Sequence, residues 1–215
     1  MTAHEYAGDF EVHVTIRAAD AAELNQFSRW CQQRGVKCVH IVLSRGAAAS
    51  QPMATWRSGS TVLSSIRDEA DGFAADAVQA GFEVTRVKIE AAPGNEDLPQ
   101  TDQDAATEPD ANYFEHHIKL DRLREASVEK LTELCESHGA HLSRNAFRQT
   151  AGDREERFVT LRTYGVGAHT SQRQLAALLD GLAAIGETVI ETESEYCVYD
   201  SNIALDAGWL PATVK

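Results

Sequence analysis

The sequence predicts an α+β protein made of two copies of one β-α-β-β-α-β unit. Phe10-Glu11-Val12-His13 returns as Phe114-Glu115-His116-His117, so Phe, Glu and His recur 104 positions later. Gly35 and Gly139, each placed after an amphipathic stretch, keep the same spacing. Recurrence at a fixed spacing indicates an internal duplication. Each segment of the first copy is therefore compared below with its counterpart in the second.

The first strand and helix of each copy follow from the spacing of apolar residues. Residues 10–17 alternate apolar and polar side chains, which is typical of a strand with one buried face. A helix is predicted from about Asp20 to Arg34, ending at Gly35. Its counterpart ends at Gly139. The apolar stripes of the two helices are Leu24, Phe27, Trp30, Cys31 and Val128, Leu131, Leu134, Cys135.

Two further strands, a second helix and a fourth strand complete each copy. Hairpin loops that contain Gly join strands two and three, and the spacing becomes 105 after the second loop at residues 149–153. Each copy is therefore a ferredoxin-like unit, an antiparallel sheet with two helices on one face. The predicted elements are strands at 37–44 and 141–147, strands at 53–57 and 158–162, helices at 61–80 and 170–185, and strands at 82–90 and 188–199.

The domain plan has four parts: repeat 1 at residues 1–90, a linker at 91–111, repeat 2 at 112–200, and an extension at 201–215. The linker contains three prolines and six acidic residues without Lys or Arg, a composition that predicts a mobile segment. We expect the extension to dock on the body, with a lid or a dimer contact as the alternative. Its docking residues would be Ile203, Leu205, Trp209 and Leu210.

Composition excludes several classes of function. The 33 acidic and 20 basic residues give a net charge of −13, which repels nucleic acids and anionic membranes. The sequence has neither an apolar run of about 20 residues nor a signal-peptide pattern, so we expect a soluble, cytoplasmic protein. The 4 cysteines are expected to be reduced core thiols rather than zinc ligands or disulfides.

Polar side chains share the face of each predicted sheet that lies opposite the helices. A solvated antiparallel sheet shows such a face without any function. Core packing, however, does not explain an outward Glu-x-His in both copies, and the two pairs would line one cleft if the faces meet. The residues concerned are Glu11, His13, Thr15, Thr55, Arg57, Arg86 and Lys88 in the first copy and Glu115, His117, Lys119, Thr160, Arg162, Glu191 and Glu193 in the second.

The favoured function is binding of a small polar or anionic molecule, or assembly through the polar sheet faces. The pattern leaves open whether the protein is an enzyme, which cofactor it uses and whether it forms a homodimer. His116 is expected to be a buried, satisfied side chain, whereas His40, His138, His141 and His169 are expected at the surface or in loops. The expected ligand-binding residues are Glu11, His13, Thr55, Arg57, Glu115, His117, Thr160 and Arg162.

One alternative function is phosphodiester hydrolysis. His13-Val14-Thr15-Ile16 resembles the H-x-T-x signature of the 2H phosphoesterases, duplicated two-lobed proteins in which a His and a hydroxyl from each lobe flank a phosphate. The resemblance implies that His13 and His117 act as general acid and base and that Thr15 binds the phosphate. The second copy departs from the signature, because Lys119 stands where Ser or Thr belongs. Lys119 could still hold a phosphate.

The other alternative is a divalent metal. No residue is assigned as a metal ligand on the sequence alone, but side chains at positions i and i+2 of a strand share a face. The pairs Glu11/His13 and Glu115/His117 could therefore supply two imidazoles and two carboxylates. The arrangement resembles the vicinal-oxygen-chelate metalloenzymes, which are also built from duplicated units but have one helix and four strands in each unit.

Overall fold

The protein is an α+β structure with eight antiparallel strands and, among the residues described, five α-helices. The computed structural model describes residues 5–121, 128–149 and 155–209, with the backbone alone for residues 147–149 and 155–156. The strands are β1 (Ala7–Arg17), β2 (Lys37–Leu43), β3 (Ser50–Val62), β4 (Glu83–Ala91), β5 (Tyr113–Leu120), β6 (Ala140–Gln149), β7 (Glu155–Tyr164) and β8 (Val189–Asp200). The helices are α1 (Ala21–Gln33), α2 (Leu63–Gln79), α3 (Asp102–Ala105), α4 (Val128–Ser137) and α5 (Ala168–Ala184).

The strands form one closed barrel in the order β1-β3-β2-β6-β7-β5-β8-β4. The sequence suggested two separate sheets, but each sheet has edges whose backbone groups need partners. β2 pairs with β6 at one junction, from Ile41 opposite Asn145 to Leu43 opposite Ser143. At the other junction, β4 pairs with β8. The element order β-α-β-β-α-β occurs twice along the chain, and neither half closes the barrel by itself.

The helices cover the outside of the barrel, and this leaves the polar strand faces inside. Val12 and Val14 of β1 are fully buried in a core that includes Ile66 of α2. On the opposite side, Ile118 of β5 packs in a core with Leu178 of α5. Because side chains alternate across a strand, the residues between these apolar positions point into the barrel lumen. The polar faces are therefore enclosed, so they do not form an outer assembly surface.

The third strand of the first half is longer than the sequence pattern indicated. The pattern predicts a strand at residues 53–57, whereas β3 continues to Val62 and delays the start of α2. Ser58-Gly59-Ser60 has the composition of a turn, but this stretch lies in the β1 ladder that runs from Ala7 opposite Val62 to Thr15 opposite Met53. Tertiary pairing therefore overrides the local preference. The hairpin loop at residues 150–153 lies outside the described residues.

The segment between the two halves is folded, so the prediction of a mobile linker is wrong. Thr101 and Asp104 form a capping box at the start of α3. Leu98 and Ala105 are buried, and the Gly167 N–H donates a hydrogen bond to Asp102 Oδ1 at 2.9 Å. The acidic residues suggested a solvated coil, but some of them satisfy backbone N–H groups at helix starts.

The chain after β8 covers one part of the barrel. A 3₁₀ helix spans Ile203–Asp206, and Trp209 is 4% exposed. The indole N–H of Trp209 donates a hydrogen bond to the Leu142 carbonyl at 3.1 Å. Leu210, which the sequence also assigned to docking, lies outside the described residues. Within the described ranges, none of the helices has the length and apolar character needed to cross a membrane.

Candidate functional site

The barrel lumen contains a cavity of about 190 Å³, which we call the lumen cavity. A single water needs roughly 10–15 Å³ by the same kind of measure, so the lumen cavity has room for a small organic molecule. One wall is apolar and comes largely from β2 and β3. The apolar lining is Val39, Ile41, Leu43, Met53, Phe158 and Trp209, and the polar lining includes Glu11, His13, Thr15, Thr55, Glu115, His117, Thr160, Arg162 and Glu193.

Strand register brings the two repeated histidines into the same lumen. His13 of β1 lies opposite Thr55 of β3, and His117 of β5 lies opposite Thr160 of β7. The two halves thus place His and Thr in equivalent cross-strand pairs. Both imidazoles line the lumen cavity; the sequence analysis placed them in one cleft only on the condition that the two polar faces meet.

A carboxylate that the sequence analysis did not single out lies between the histidines. Glu90 of β4 is 0% exposed, and its Oε2 lies 2.8 Å from His13 Nε2. A ring nitrogen of His117 also lies within 4.8 Å of a Glu90 oxygen. The two histidines therefore converge on one buried carboxylate rather than on an open space.

Two basic residues neutralise the acids at the centre of the lumen. Lys88 Nζ lies 2.8 Å from Glu90 Oε1 and 2.8 Å from Glu115 Oε2, and Arg162 Nη2 lies 2.8 Å from Glu115 Oε1. Burial alone would raise the pKa of Glu115, but Arg162 and Lys88 outweigh burial and hold that pKa well below its usual value. Glu115 is therefore a carboxylate committed to internal ion pairs.

A second group of ion pairs joins the lumen to the C-terminal segment. Asp206 Oδ2 lies 3.0 Å from Arg86 Nη1 and 3.1 Å from Arg162 Nη1. Arg86 also donates to both oxygens of Asp200, with 2.9 Å between Arg86 Nε and Oδ1. Strands β4 and β8 pair with each other, and Arg86 forms its ion pairs with Asp200 at the end of β8 and with Asp206 beyond it.

Glu195 of β8 is a largely buried carboxyl group next to the histidines. Its side chain is 12% exposed, and the nearest histidine nitrogen is His117 Nε2 at 4.0 Å from Oε2. Burial, followed by the charges of Glu90 and Glu11, raises the pKa of Glu195 to about 10. Burial and the neighbouring carboxylates thus favour the neutral form of Glu195.

Glu11 and Arg57 lie at the mouth of the barrel. Glu11 accepts hydrogen bonds from Thr55 Oγ1 at 2.9 Å and from Arg57 Nε at 2.6 Å. The Arg57 side chain is 68% exposed and also contacts Glu193 at 3.2 Å. Glu11, Arg57, Glu193 and Glu195 line a second cavity, which we call the mouth cavity. The lumen and mouth cavities share Glu11 and Glu193.

Of the remaining candidate site residues, some line the lumen cavity and one does not. Thr15 lines the lumen cavity, and Thr160 Oγ1 lies 3.2 Å from His117 Nδ1. Lys119 lies opposite Phe158 and Glu191 in the strand ladders and is not part of the cavity lining among the described residues. The structure therefore brings Thr15 and both histidines to one space, but not Lys119.

For two histidines that do not line the lumen cavity, the predicted burial can be compared with the structure. His116 is fully buried, with its ring nitrogens 2.8 Å from Ser194 Oγ and 2.7 Å from Ser171 Oγ, so the prediction of a satisfied buried group is confirmed. His141 is also buried, although it was expected at the surface. It lies in β6, where its Nδ1 is 3.1 Å from Arg45 Nη2, and burial lowers its pKa to about 4.

Sequence reasoning missed Glu90, Glu195 and Asp206. The sequence does place two of them on the polar strand face, because residues at alternate positions of a strand share a face. Glu90 follows Arg86 and Lys88 at alternate positions, and Glu195 follows Glu191 and Glu193 in the same way. Asp206 carries no comparable signal, since it lies in a short 3₁₀ helix with no counterpart in the first half.

Comparison with known proteins assigns neither a family nor a function to the chain. Neither a protein-family model nor a curated protein matches the chain. Among solved structures, the acetolactate synthase small subunit from Thermotoga maritima is 12% identical, with a TM-score of 0.29 over 89% of this chain and 95% of that one. A "Putative monooxygenase" from Fusobacterium nucleatum subsp. nucleatum is 8% identical, with a TM-score of 0.30 over 93% and 95%. Similarity at this level does not establish a shared function.

Proposed function

We propose that the barrel binds one small molecule in the lumen cavity, with the apolar body of the molecule against β2 and β3 and a polar end toward the histidines. The observation that carries the proposal is the two-sided lining of the enclosed space. Binding sites for small molecules are typically concave and mostly apolar, with a few convergent polar groups. Here Ile41 and Met53 lie on the apolar side, and His13, His117 and Thr160 lie on the polar side.

The charge balance favours a neutral or cationic polar end over an anionic one. Three buried cations, Arg86, Lys88 and Arg162, face four carboxylates whose side chains are at most 3% exposed, namely Glu90, Glu115, Asp200 and Asp206. Each of these three cations is already paired, so none of them can bind an anion without breaking an internal pair; Lys37, which also lines the lumen cavity, is exposed to solvent. Breaking a buried pair by removing one partner costs roughly 3–5 kcal/mol. The anionic ligand considered from sequence is thus the less favourable choice.

The expected ligand-binding residues therefore have different roles in the proposal. His13, His117, Thr55 and Thr160 supply the hydrogen-bonding groups that contact the molecule. Glu11, which is paired with Arg57, adds negative charge at the mouth that favours a cationic over an anionic molecule. Arg57, Glu115 and Arg162 hold the polar wall in place through their ion pairs.

The same geometry weighs against phosphodiester hydrolysis. A phosphate held between two histidines needs donors around it, whereas the group between His13 and His117 is the Glu90 carboxylate. Two like charges at such separation repel each other. Lys119, the residue that would replace a hydroxyl in the second half, does not line the cavity.

We also infer that the two halves descend from one duplicated unit, with the first repeat ending near residue 90 and the second beginning near residue 112. The equivalent placement of His13–Thr55 and His117–Thr160 supports this inference. The two halves pair to close the lumen, and each half supplies one His–Thr pair to it. The duplication would therefore account for the two matching pairs in one cavity.

A matched ligand series tests the proposal. The chain, kept in a chelator so that metal ions play no part, is titrated with 3-phenylpropylamine, 3-phenylpropanol and 3-phenylpropanoate, and binding is followed by thermal shift and tryptophan fluorescence. We expect stabilisation in the order amine, alcohol, carboxylate. The variant Val39→Phe fills the cavity and should abolish binding, while Val78→Ser, at a side chain that is 57% exposed, should not. Equal binding by Val39→Phe, or the reverse order of ligands, would overturn the proposal.

A further inference from the structure

Three potential metal-ligating side chains meet near the boundary between the lumen cavity and the mouth cavity, and His117 lies beside them in a second group with Glu90 and Glu115. Donor atoms of His13, Glu90 and Glu195 all lie within 4.8 Å of one another. His117 Nε2 lies 4.0 Å from Glu195 Oε2. In a tetrahedral site with metal–ligand distances near 2.1 Å, neighbouring donors are roughly 3.4 Å apart. Small side-chain rotations would therefore bring the donors of His13, Glu90 and Glu195 to bonding distance of one ion, and His117 would have to turn toward them as the fourth ligand.

The central ligand, Glu90, is held by two charged contacts rather than by aligned hydrogen bonds. Glu90 is 0% exposed, yet neither of its carboxylate oxygens has a hydrogen-bond partner among the described residues. Its contacts with Lys88 Nζ and His13 Nε2 are close in distance, at 2.8 Å each, but lack the alignment of hydrogen bonds. Lys88 compensates the charge of Glu90 on the Oε1 side, and a cation on the Oε2 side would compensate it further.

The two oxygens of Glu90 face different partners, so only one of them is next to the lysine ammonium group. Oε1 faces Lys88, which also contacts Glu115, whereas Oε2 faces His13. An ion on the Oε2 side would therefore avoid the lysine ammonium group. His117 is also suitably oriented, because its Nδ1 lies 3.2 Å from Thr160 Oγ1 and its Nε2 remains directed at Glu195. A hydrogen bond at the other ring nitrogen is the usual support of a metal-binding histidine.

The site is also accessible. His13 and His117 are 15% and 30% exposed and line the lumen cavity, whereas Glu195 is 12% exposed and lines the mouth cavity. An ion could enter from the mouth cavity, and a molecule in the lumen cavity could reach it from the other side.

We propose that His13, Glu90, Glu195 and His117 bind one divalent first-row transition metal ion such as Zn²⁺. Two imidazoles with carboxylates favour such ions over Ca²⁺ and Mg²⁺, which prefer oxygen ligands alone. This set differs from the one that the sequence suggested, because Glu90 and Glu195 replace Glu11 and Glu115, which are held by Arg57 and by Lys88 with Arg162. The proposal does not depend on binding of an organic molecule.

The test uses Zn²⁺ alone with full-length protein that has been freed of metal by a chelator and dialysed. Affinity is measured in competition with a chromophoric chelator, and Co²⁺ serves as the spectroscopic probe. We expect one Zn²⁺ per chain and visible Co²⁺ absorption that reports bound imidazole and carboxylate. Loss of an outer-sphere partner alone weakens metal binding by about 10–100-fold, so His13→Gln and Glu195→Gln should each weaken Zn²⁺ binding by at least about 100-fold.

Matched variants at the surface keep the test falsifiable. His169→Ala and Glu83→Gln remove an exposed histidine and an exposed glutamate and should leave the Zn²⁺ affinity within about twofold of the parent, because neither residue lies near the cluster. Circular dichroism confirms that each variant is folded. Equal affinity of His13→Gln, Glu195→Gln and the parent, or loss of binding in His169→Ala, would overturn the proposal. Val39→Phe should keep Zn²⁺ binding, so that failure of organic ligand binding and failure of metal binding are separate results.

Discussion

Asp206 Oδ2 lies 3.1 Å from Arg162 Nη1 and thereby ties the C-terminal 3₁₀ helix to a strand of the second half. The same oxygen lies 3.0 Å from Arg86 Nη1 of the first half, and Asp206 Oδ1 accepts a hydrogen bond from Gln51 at 2.9 Å. One carboxylate from outside both β-α-β-β-α-β units thus links them. The C-terminal segment is for this reason part of the barrel's structure rather than a removable tail.

Replacement of Asp206 should be among the most destabilising single changes in the protein. Asp206→Ala removes an acceptor shared by the buried Arg86 and Arg162, and because Arg86 keeps Asp200 and Arg162 keeps Glu115, the cost should lie near the lower end of the roughly 3–5 kcal/mol for a broken buried pair. Urea unfolding followed by circular dichroism measures the loss. Asp68→Ala, at an exposed position of α2, is the control and should change stability by less than about 0.5 kcal/mol. Similar values for the two variants would show that the carboxylate is not a structural link.

Trp209 lines the apolar side of the lumen cavity. Replacing its side chain with a smaller one should therefore destabilise the protein and expose the cavity to solvent. Trp209→Ala removes a side chain that is 4% exposed and is expected to cost about 3–5 kcal/mol. Trp209→Phe keeps most of the packing and loses the hydrogen bond to the Leu142 carbonyl, a loss of about 1 kcal/mol. Urea unfolding of both variants gives the comparison. Equal losses would mean that the hydrogen bond, not the packing, holds the segment.

Much of this architecture could be predicted from the sequence, because it depends on local periodicity. The repeated Glu-x-His, with alternating apolar neighbours, placed His13 and His117 on the polar strand faces. Closure of the barrel depends instead on pairing between distant edges such as Ile41 and Asn145, for which a single sequence has no local signal. Composition was also misleading for the acidic segment, because Thr101 and Asp104 act as helix caps there.

Gly167 tests the docking of the segment between the halves. A Cβ at Gly167 would lie 2.3 Å from the Thr101 carbonyl carbon, which is backbone and cannot rotate away. Gly167→Ala should therefore displace the start of α3 from α5, lower stability by about 1–3 kcal/mol and speed limited proteolysis near residue 100. Gly72→Ala is the matched control, because open space surrounds that position in α2 and alanine should add about 0.5–1 kcal/mol. Protection of the segment in Gly167→Ala would contradict the predicted displacement.

His141 should make the protein less stable in weak acid. Its folded-state pKa is lowered by burial to about 4 from an ordinary value of 6.5, so the unfolded chain binds a proton that the folded protein does not. The stabilising contribution is complete above pH 6.5 and decreases as the pH falls toward 4. The measurement is urea unfolding at intervals between pH 7 and pH 4. His141→Gln should lose stability less steeply than the parent, whereas His169→Ala, at an exposed position, should follow the parent.

Glu195 should have the opposite pH dependence in protein kept free of metal by a chelator. Burial and neighbouring carboxylates raise its folded-state pKa to about 10, so the folded protein keeps a proton that the unfolded chain releases above pH 4.5. Its contribution is complete below pH 4.5 and is lost as the pH rises toward 10. Glu195→Gln, which is neutral at every pH, should therefore exceed the parent in stability by on the order of 2 kcal/mol at pH 8 and match it near pH 4. Urea unfolding at the two pH values decides the matter, with Glu83→Gln as an exposed control. A constant difference between Glu195→Gln and the parent would show that Glu195 is ionised in the folded protein.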